Sequence, residues 1–363
     1  MTYTISDQKY HELSQLVAQQ LSNGVFPGIE ILFAVGDDIL LHQAWGYLDR
    51  TSEDPLQSNT LFDIASITKP VATALSCMIL LEHGQLDLED PVGAFIPEFL
   101  RDETKFITLR HLLTHTSGLP AWENLYADAT DEDEAWNKLM KIPLACPTGT
   151  RMIYSCLGFI ILRKIICKLS GMSLTEFFHK NIAVPLRLRH TAFNPVTHGL
   201  SVMSVAPTEN CPWRKQLLRG VVHDENAFIF QGEGGNAGLF STAEDLHRFC
   251  RMMLNGGTLE GQRVLSSRTV TQMIRNHNST QLLPRGLGWD VKQSGRGYWS
   301  CGELFSDGSI GHTGFTGTSL WMDPVSHVVV IVLTNRVHLS REGNIPQMKT
   351  FRPRLHNFLL SLI

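Results

Sequence analysis

The sequence predicts an α+β fold in which one sheet domain is made from both ends of the chain and holds an inserted, mainly helical domain. Three observations carry this expectation. β-rich runs joined by tight turns lie towards the two ends. The middle is dominated by apolar residues at helical spacing, opened by capping patterns and closed by glycines. No internal repeat or low-complexity linker interrupts the chain, so the simplest topology puts the terminal strands in one sheet. The boundaries that follow are 1–60 plus 286–363 for the sheet domain and 61–285 for the helical one.

Residues 8–22 have the spacing of an amphipathic helix that stops near Asn23-Gly24. "GIEILFAVGDDILLHQAWGYLD" then reads as two strands about Gly36-Asp37-Asp38, a hairpin signal. From Ser66 to about Glu82 the period is helical: Ile67, Val71, Leu75 and Met78 recur on one face, and Gly84 supplies a stop. Arg110 to His115 lead into a break at Thr116-Ser117-Gly118-Leu119-Pro120. Ser155 to Leu169 form a further apolar helix ended by Gly171, and Ser173 with Glu176 makes a capping box for the next. Thr242 with Asp245 repeats that pattern before "LHRFCRMML". Strand signals return near residue 286. "TSLWMDPVSHVVVIVLTN" gives two β-rich runs about the Asp323-Pro324 turn, and "MKTFRPRLHNFLLSLI" closes the chain as a helix.

Composition bounds the function. The 363 residues are 43% apolar and 18% charged, with a net charge of −4 and Lys and Arg spread along the chain. That is an ordinary globular balance, without a basic patch for nucleic acid or an anionic membrane. No run reaches the roughly 18 apolar residues of a membrane span. The start, "MTYTISDQKYHELSQL", lacks the basic and apolar regions of a signal peptide. The seven cysteines are an odd number without close pairs, several of them inside apolar patterns, such as Cys77, Cys167 and Cys250. The expectation is a cytoplasmic protein with reduced thiols.

Three short stretches carry chemistry. In "ASITKP", Ser66 and Lys69 are three apart where a helix starts and share a face. A serine hydroxyl is a poor nucleophile until a base takes its proton. A lysine one turn on can serve if burial or a neighbouring cation lowers its proton affinity, and the helix start adds N–H groups that favour developing negative charge. The plain alternative is a capping serine before an exposed lysine. In "IYSCLGF", Tyr154 stands just before a helix, either as a packing residue or as a phenol that relays a proton for the serine. In "GHTGFTG", three glycines around a β-rich run fit a strand lying close to a ligand. Such an edge would offer main-chain groups to a substrate and an N–H to an oxyanion, with His312 adding charge or a hydrogen bond. The alternative there is a bulged edge with an exposed histidine.

Taken together, in this order and spacing, "SITK", "YSC" and "HTG" resemble the three motifs of the penicillin-recognising serine hydrolases. That superfamily includes class C β-lactamases, DD-peptidases and β-lactamase-like esterases. "LRHLLTHTSGLP" (109–120), "GLFSTAEDLHRF" (238–249) and "LTNRVH" (333–338) extend the resemblance over nearly the whole chain. It implies the β-lactamase/transpeptidase-like fold: an antiparallel sheet flanked by helices, an inserted all-helical domain, and an active site in the cleft between the two. It implies that Ser66 is acylated and that Lys69 and Tyr154 share the proton transfers. Cys156, His312, Thr313, Gly314 and Phe315 would line the substrate site, with the N–H groups of Ser66 and Phe315 as the oxyanion hole. The expected substrate is a small ester, amide or β-lactam. No cofactor, metal, nucleic acid or membrane partner is expected.

The chain departs from that pattern in two places. Cys156 stands where β-lactamases and DD-peptidases usually carry asparagine, and a thiol is a weak hydrogen-bonding group. His312 stands where many β-lactamases carry lysine, and a histidine is mostly neutral at pH 7. Both changes point from β-lactams towards esters or small amides. The alternatives are a true β-lactamase or D-amino-acid peptidase, and a non-catalytic receptor or scaffold. The intact Ser66–Lys69 pair disfavours Cys156 as the nucleophile. Asn236 replaces a histidine frequent in relatives, with no role legible. His111 and His115 are four apart, a metal-ligand spacing, but lack a third ligand. His223-Asp224-Glu225 is polar and could border the cleft, with a surface loop the simpler reading, and "DATDEDE" (128–134) reads as a solvated loop or helix start.

Overall fold

A computed structural model of the chain describes residues 4–363. Six strands form one antiparallel sheet, in the spatial order Asp290–Val291, Ile310–Thr313, Ser319–Asp323, Val328–Thr334, Gly28–Val35, Asp38–Gly46. The two ends of the chain meet where Gly28–Val35 pairs with Val328–Thr334, Ile29 opposite Thr334 and Val35 opposite Val328. The hairpins about Gly36 and Pro324 both form.

The central strands are buried on both faces, so side-chain alternation sorts residues into two layers rather than into inside and outside. Ile29, Ile31 and Phe33, with Val328, Val330 and Val332, share one cluster with Leu13 and Val17 of the helix Asp7–Ser22 and Phe351, Leu355 and Leu359 of the helix Ile345–Leu360. Leu32, Ala34, Val329, Ile331 and Leu333 belong to the main core with the central helices. The helix Ala243–Leu254 packs on the sheet from that side. We propose that the chain divides near residues 60 and 286, with this helix belonging to the middle segment while lying on the sheet.

The stretch from Ala65 to Glu82 departs from the regular helix its period predicts. Ala65–Ile67 is a 3₁₀ turn, Lys69–Ala74 is π-helical, and only Leu75–Glu82 is α-helical. Pro70 accounts for the wide turn. It has no N–H to close the ordinary bond, and its ring crowds the carbonyl one turn back. By length and composition Ala65–Glu82 would pass for a membrane span, where the sequence reading found no such run. However, 83% of it is buried inside the fold, so its apolarity is that of a core element.

One polar stretch differs from the surface-loop reading, and another takes one of its two expected forms. His223 and Glu225 are buried rather than on a surface loop. Asp224 caps the short helix Glu225–Ile229 by accepting the N–H of Ala227 at 2.7 Å. The acidic run becomes the start of the helix Glu132–Leu139, capped by Asp131, and Glu132 pairs with the buried Arg163 at 2.6 Å.

Glu30 is fully buried beside His42, 2.7 Å away, its diagonal neighbour across the first hairpin. Burial raises the Glu30 carboxyl from its ordinary 4.5 to about 7, against the opposing pull of His42. The hydrogen bond to Glu30 raises His42 in turn, outweighing burial. Both groups hold protons more tightly folded than unfolded, so their contribution to stability falls as pH rises. Glu30→Gln is expected to flatten that fall between about pH 4.5 and about pH 7, a difference on the order of 3 kcal/mol across the window. Urea titrations of both proteins at a series of pH values check this.

Candidate active site

Lys69 is fully buried, and its Nζ finds three partners. It donates to Ser66 Oγ at 2.9 Å, to the main-chain oxygen of Asn236 at 2.9 Å and to Cys156 Sγ at 3.5 Å. A buried ammonium is tolerable only where such groups replace water. The centre of the Tyr154 ring lies 4.9 Å from the same nitrogen. The structure thus brings Ser66, Lys69, Tyr154 and Cys156 into one cluster.

Burial pushes the Lys69 ammonium down, but Cys156, Tyr154 and Asp224 around it more than offset this, and the net direction is upward. In this arrangement Lys69 donates to all three groups, as an ammonium does. Burial pushes the Cys156 thiol up despite the attraction of Lys69, so the sulfur stays protonated.

The turn that presents Ser66 is held under tension. Ala65 has φ 47°, a left-handed conformation that costs a non-glycine residue on the order of 1 kcal/mol. Asp63 fixes it: Oδ1 accepts the Ala65 N–H at 2.8 Å and Oδ2 accepts the N–H of His223 at 2.7 Å. The hydroxyls of Thr316 and Thr318 donate to the carbonyls of Asp63 and Ile64 at 2.7 and 3.3 Å. These bonds couple the serine turn to the segment after His312.

A second wall comes from residues 231–239. The Thr73 hydroxyl donates to Gly235 O at 2.7 Å, one turn beyond Lys69. Gly235 has φ 78°, and a Cβ there would sit 2.5 Å from the carbonyl oxygen of Phe159. Only glycine lets this segment press close enough for the next carbonyl, that of Asn236, to reach Lys69. The Asn236 side chain donates to Asp224 Oδ1 at 3.2 Å.

The far wall is the end of the strand Ile310–Thr313. His312 is 2% exposed, not the edge histidine of the alternative reading. Its Nδ1 donates to Thr313 O at 2.9 Å, and Nε2 has no partner. Burial foremost, then Arg285 and Lys69, push it well below the usual range. The positive charge considered for this position is therefore absent. The Gly314 N–H is spent on Thr318 O at 2.8 Å, whereas those of Ser66 and Phe315 make no hydrogen bond among the described residues. Phe315 is 45% exposed, with the His223 ring 5.6 Å and the Arg336 guanidinium 4.6 Å away.

His111 and His115 do not converge on a ligand. His111 Nδ1 accepts the N–H of Thr108 in a capping box. His115 Nδ1 accepts the N–H of Ser155 at 2.9 Å, and its ring lies 4.6 Å from that of Tyr154. His115 thereby joins a site that sequence reasoning left it out of. Glu209, Cys211 and Glu225 cluster closely enough to hold a cation, but Arg341 already pairs with both carboxylates.

The Beta-lactamase family profile matches residues 13–349. A Salmonella agona (strain SL483) protein named as a D-alanyl-D-alanine carboxypeptidase is 32% identical over 367 residues, covering 91% of this chain and 83% of that one. Among solved structures, EstCE1, a hydrolase with promiscuous acyltransferase activity, has a TM-score of 0.76 at 21% identity, covering 96% of this chain and 99% of that one. The octameric penicillin-binding protein homologue from Pyrococcus abyssi has a TM-score of 0.74 at 22% identity, covering 97% and 77%. Likeness at that identity speaks for the fold alone.

A fluorophosphonate that labels activated serines should add one group to the protein, on Ser66, and none to Ser66→Ala with its fold intact. Intact-protein mass and circular dichroism check this.

Proposed function

We propose that the chain, a serine hydrolase that belongs to the Beta-lactamase family, cleaves small esters or amides through an acyl-enzyme formed on Ser66. The observation that carries this reading is the 2.9 Å contact between Ser66 Oγ and a Lys69 ammonium that has no bulk water around it. Lys69 orients the oxygen and stabilises the charge it develops. With Lys69 as the donor that holds the serine oxygen, Tyr154 takes the serine proton and delivers it to the leaving group. The oxyanion is held by the N–H groups of Ser66 and Phe315, each worth on the order of 3 kcal/mol. Water then releases the acyl group, with the proton path reversed.

Two features favour esters or simple amides over β-lactams. Cys156 offers Lys69 a thiol where an amide would bond both the lysine and an acylamido substrate. His312 is neutral, so the strand carries no fixed cation for a substrate carboxylate. The Salmonella relative's name favours a second reading, a D-amino-acid peptidase. That reading requires a cation elsewhere for the free carboxylate.

Hydrolysis of a short-chain nitrophenyl ester, followed beside the protein mass after mixing with a fluorescent penicillin, separates these. Ester turnover with little penicillin adduct, both lost in Ser66→Ala, is the expected result. A long-lived penicillin adduct without turnover would transfer the assignment to a slow peptidase or receptor. Cys156→Asn should raise β-lactam turnover about 5- to 150-fold, the range of one restored hydrogen bond of about 1–3 kcal/mol. An unchanged rate would give pocket shape, not the missing amide, control of specificity.

A further inference from the structure

Tyr154 has a second cationic neighbour that no motif announces. The guanidinium carbon of Arg285 lies 5.5 Å from the centre of the Tyr154 ring, against 4.9 Å for Lys69 Nζ. Arg285 is 3% exposed. Its Nη1 pairs with Asp290, while Nε and Nη2 have no partner. Burying a guanidinium with two nitrogens unpaired opposes folding, and an apolar residue would fill the space without that cost.

The backbone around Arg285 holds it firmly. Its N–H donates to Asn276 Oδ1 at 3.0 Å, and its carbonyl accepts the N–H of His277 at 2.8 Å. The Gly286 N–H donates to Trp289 O at 2.9 Å, closing the turn that brings Asp290 back beside Arg285. Gly288, at φ 82°, donates its N–H to Leu113 O at 2.9 Å. A Cβ on Gly288 would lie 2.8 Å from the Cβ of Ala74, at the end of the π-helical stretch that begins with Lys69. The turn is therefore clamped against the element that carries the lysine.

Asp290, paired with Arg285, brings a negative charge to this side, and Asp224 bears on Lys69 and Cys156. The His115 and His312 rings, 4.6 and 5.8 Å away, are pushed well below the usual range by burial first and by Arg285 and Lys69 next. Cys156, two residues along, stays a thiol. Burial pushes Arg285 down to about 10, which leaves it a cation at neutral pH. The positive charge near the phenol comes from Lys69 and Arg285.

We propose that Arg285 is a positioning residue for proton transfer through Tyr154: its guanidinium, fixed by Asp290 and the clamped turn, supplies the second positive charge that His312 does not, and so favours the ionised phenol that receives the Ser66 proton. This rests on the roles given to Ser66 and Tyr154 above.

The test compares Arg285→Gln, Arg285→Lys and Asp290→Asn with the unaltered protein. One readout is the pH profile of kcat/KM on the nitrophenyl ester. A second, independent of turnover, is the ¹³C NMR titration of tyrosine Cζ, with the Tyr154 signal assigned by its loss in Tyr154→Phe. Arg285→Gln should move the acid limb up by about one pH unit, with roughly tenfold lower kcat/KM on that limb. Arg285→Lys should restore most of the limb. Asp290→Asn should move it the opposite way, because the guanidinium keeps its charge and loses its counter-ion. The Tyr154 signal should follow the same three directions. Profiles and titrations that coincide with those of the unaltered protein, with only thermal stability lowered, would overturn the proposal and leave Arg285 a structural residue. If no ester is turned over, the functional reading fails separately, and the Tyr154 titration alone decides. If Arg285→Gln does not fold, the opposite shift in Asp290→Asn carries the test, and its absence overturns the proposal.

Discussion

The site depends on one constraint: the ammonium of Lys69 is buried, and every partner that makes this tolerable comes from a different part of the chain. Ser66 reaches it from the turn before, Cys156 from the start of the helix Leu157–Ser170, and Asn236 through its carbonyl. A buried charge stripped of partners costs several kcal/mol, so the three segments are held in register by electrostatics as well as by packing. The left-handed Ala65, the wide turn at Pro70 and the glycine at 235 are local conformations of higher energy than their alternatives. Each brings one of these partners within reach. The threonines after the "HTG" stretch extend the same network towards the sheet, tying the serine turn to the segment that follows the strand opposite it.

That network also sorts charge. Two histidine rings lie beside Tyr154, yet both are kept neutral by burial and by cations they cannot escape. A cleft arranged this way concentrates positive charge near the Ser66 oxygen, the nucleophile of the proposed reaction. It carries none on the strand that would meet the far end of a substrate. Charge placed so close to the bond being made helps the transition state more than the bound substrate.

The parts of the site legible in the sequence were those set by short spacing. Ser66 and Lys69 are one turn apart, and Tyr154 opens a helix whose apolar period is plain. The terminal strands were legible because their hairpin turns and β-rich runs are local signals. What stayed hidden depends on long-range contact. The Lys69 partner at 236 is a main-chain carbonyl, which every residue possesses, so the asparagine itself carried no signal. Arg285 reads as an ordinary polar residue before a turn, and only the fold places it under Tyr154. The stretch 223–225 looked exposed because it is polar. His223 and Glu225 are buried there, with Asp63 and Arg341, remote in sequence, as partners. Pro70 stands close to the start of the predicted helix. Its effect on the turns after it depends on how tightly the core closes around them.

The state of Cys156 has a consequence for inhibitor chemistry. In open solution a thiol is a better nucleophile than an alcohol, and soft alkylating agents choose it. Here the sulfur lies 3.5 Å from an ammonium yet stays protonated, because burial outweighs the attraction. Haloacetamides and Michael acceptors, which need the thiolate, have little to react with in this cleft. Boronic acids, which seek an oxygen nucleophile and tolerate a tetrahedral anion, meet Ser66 and the N–H groups around it. A covalent ligand for this protein is thus to be chosen by the hardness of its electrophile, with the cysteine counted as volume rather than as a point of attachment.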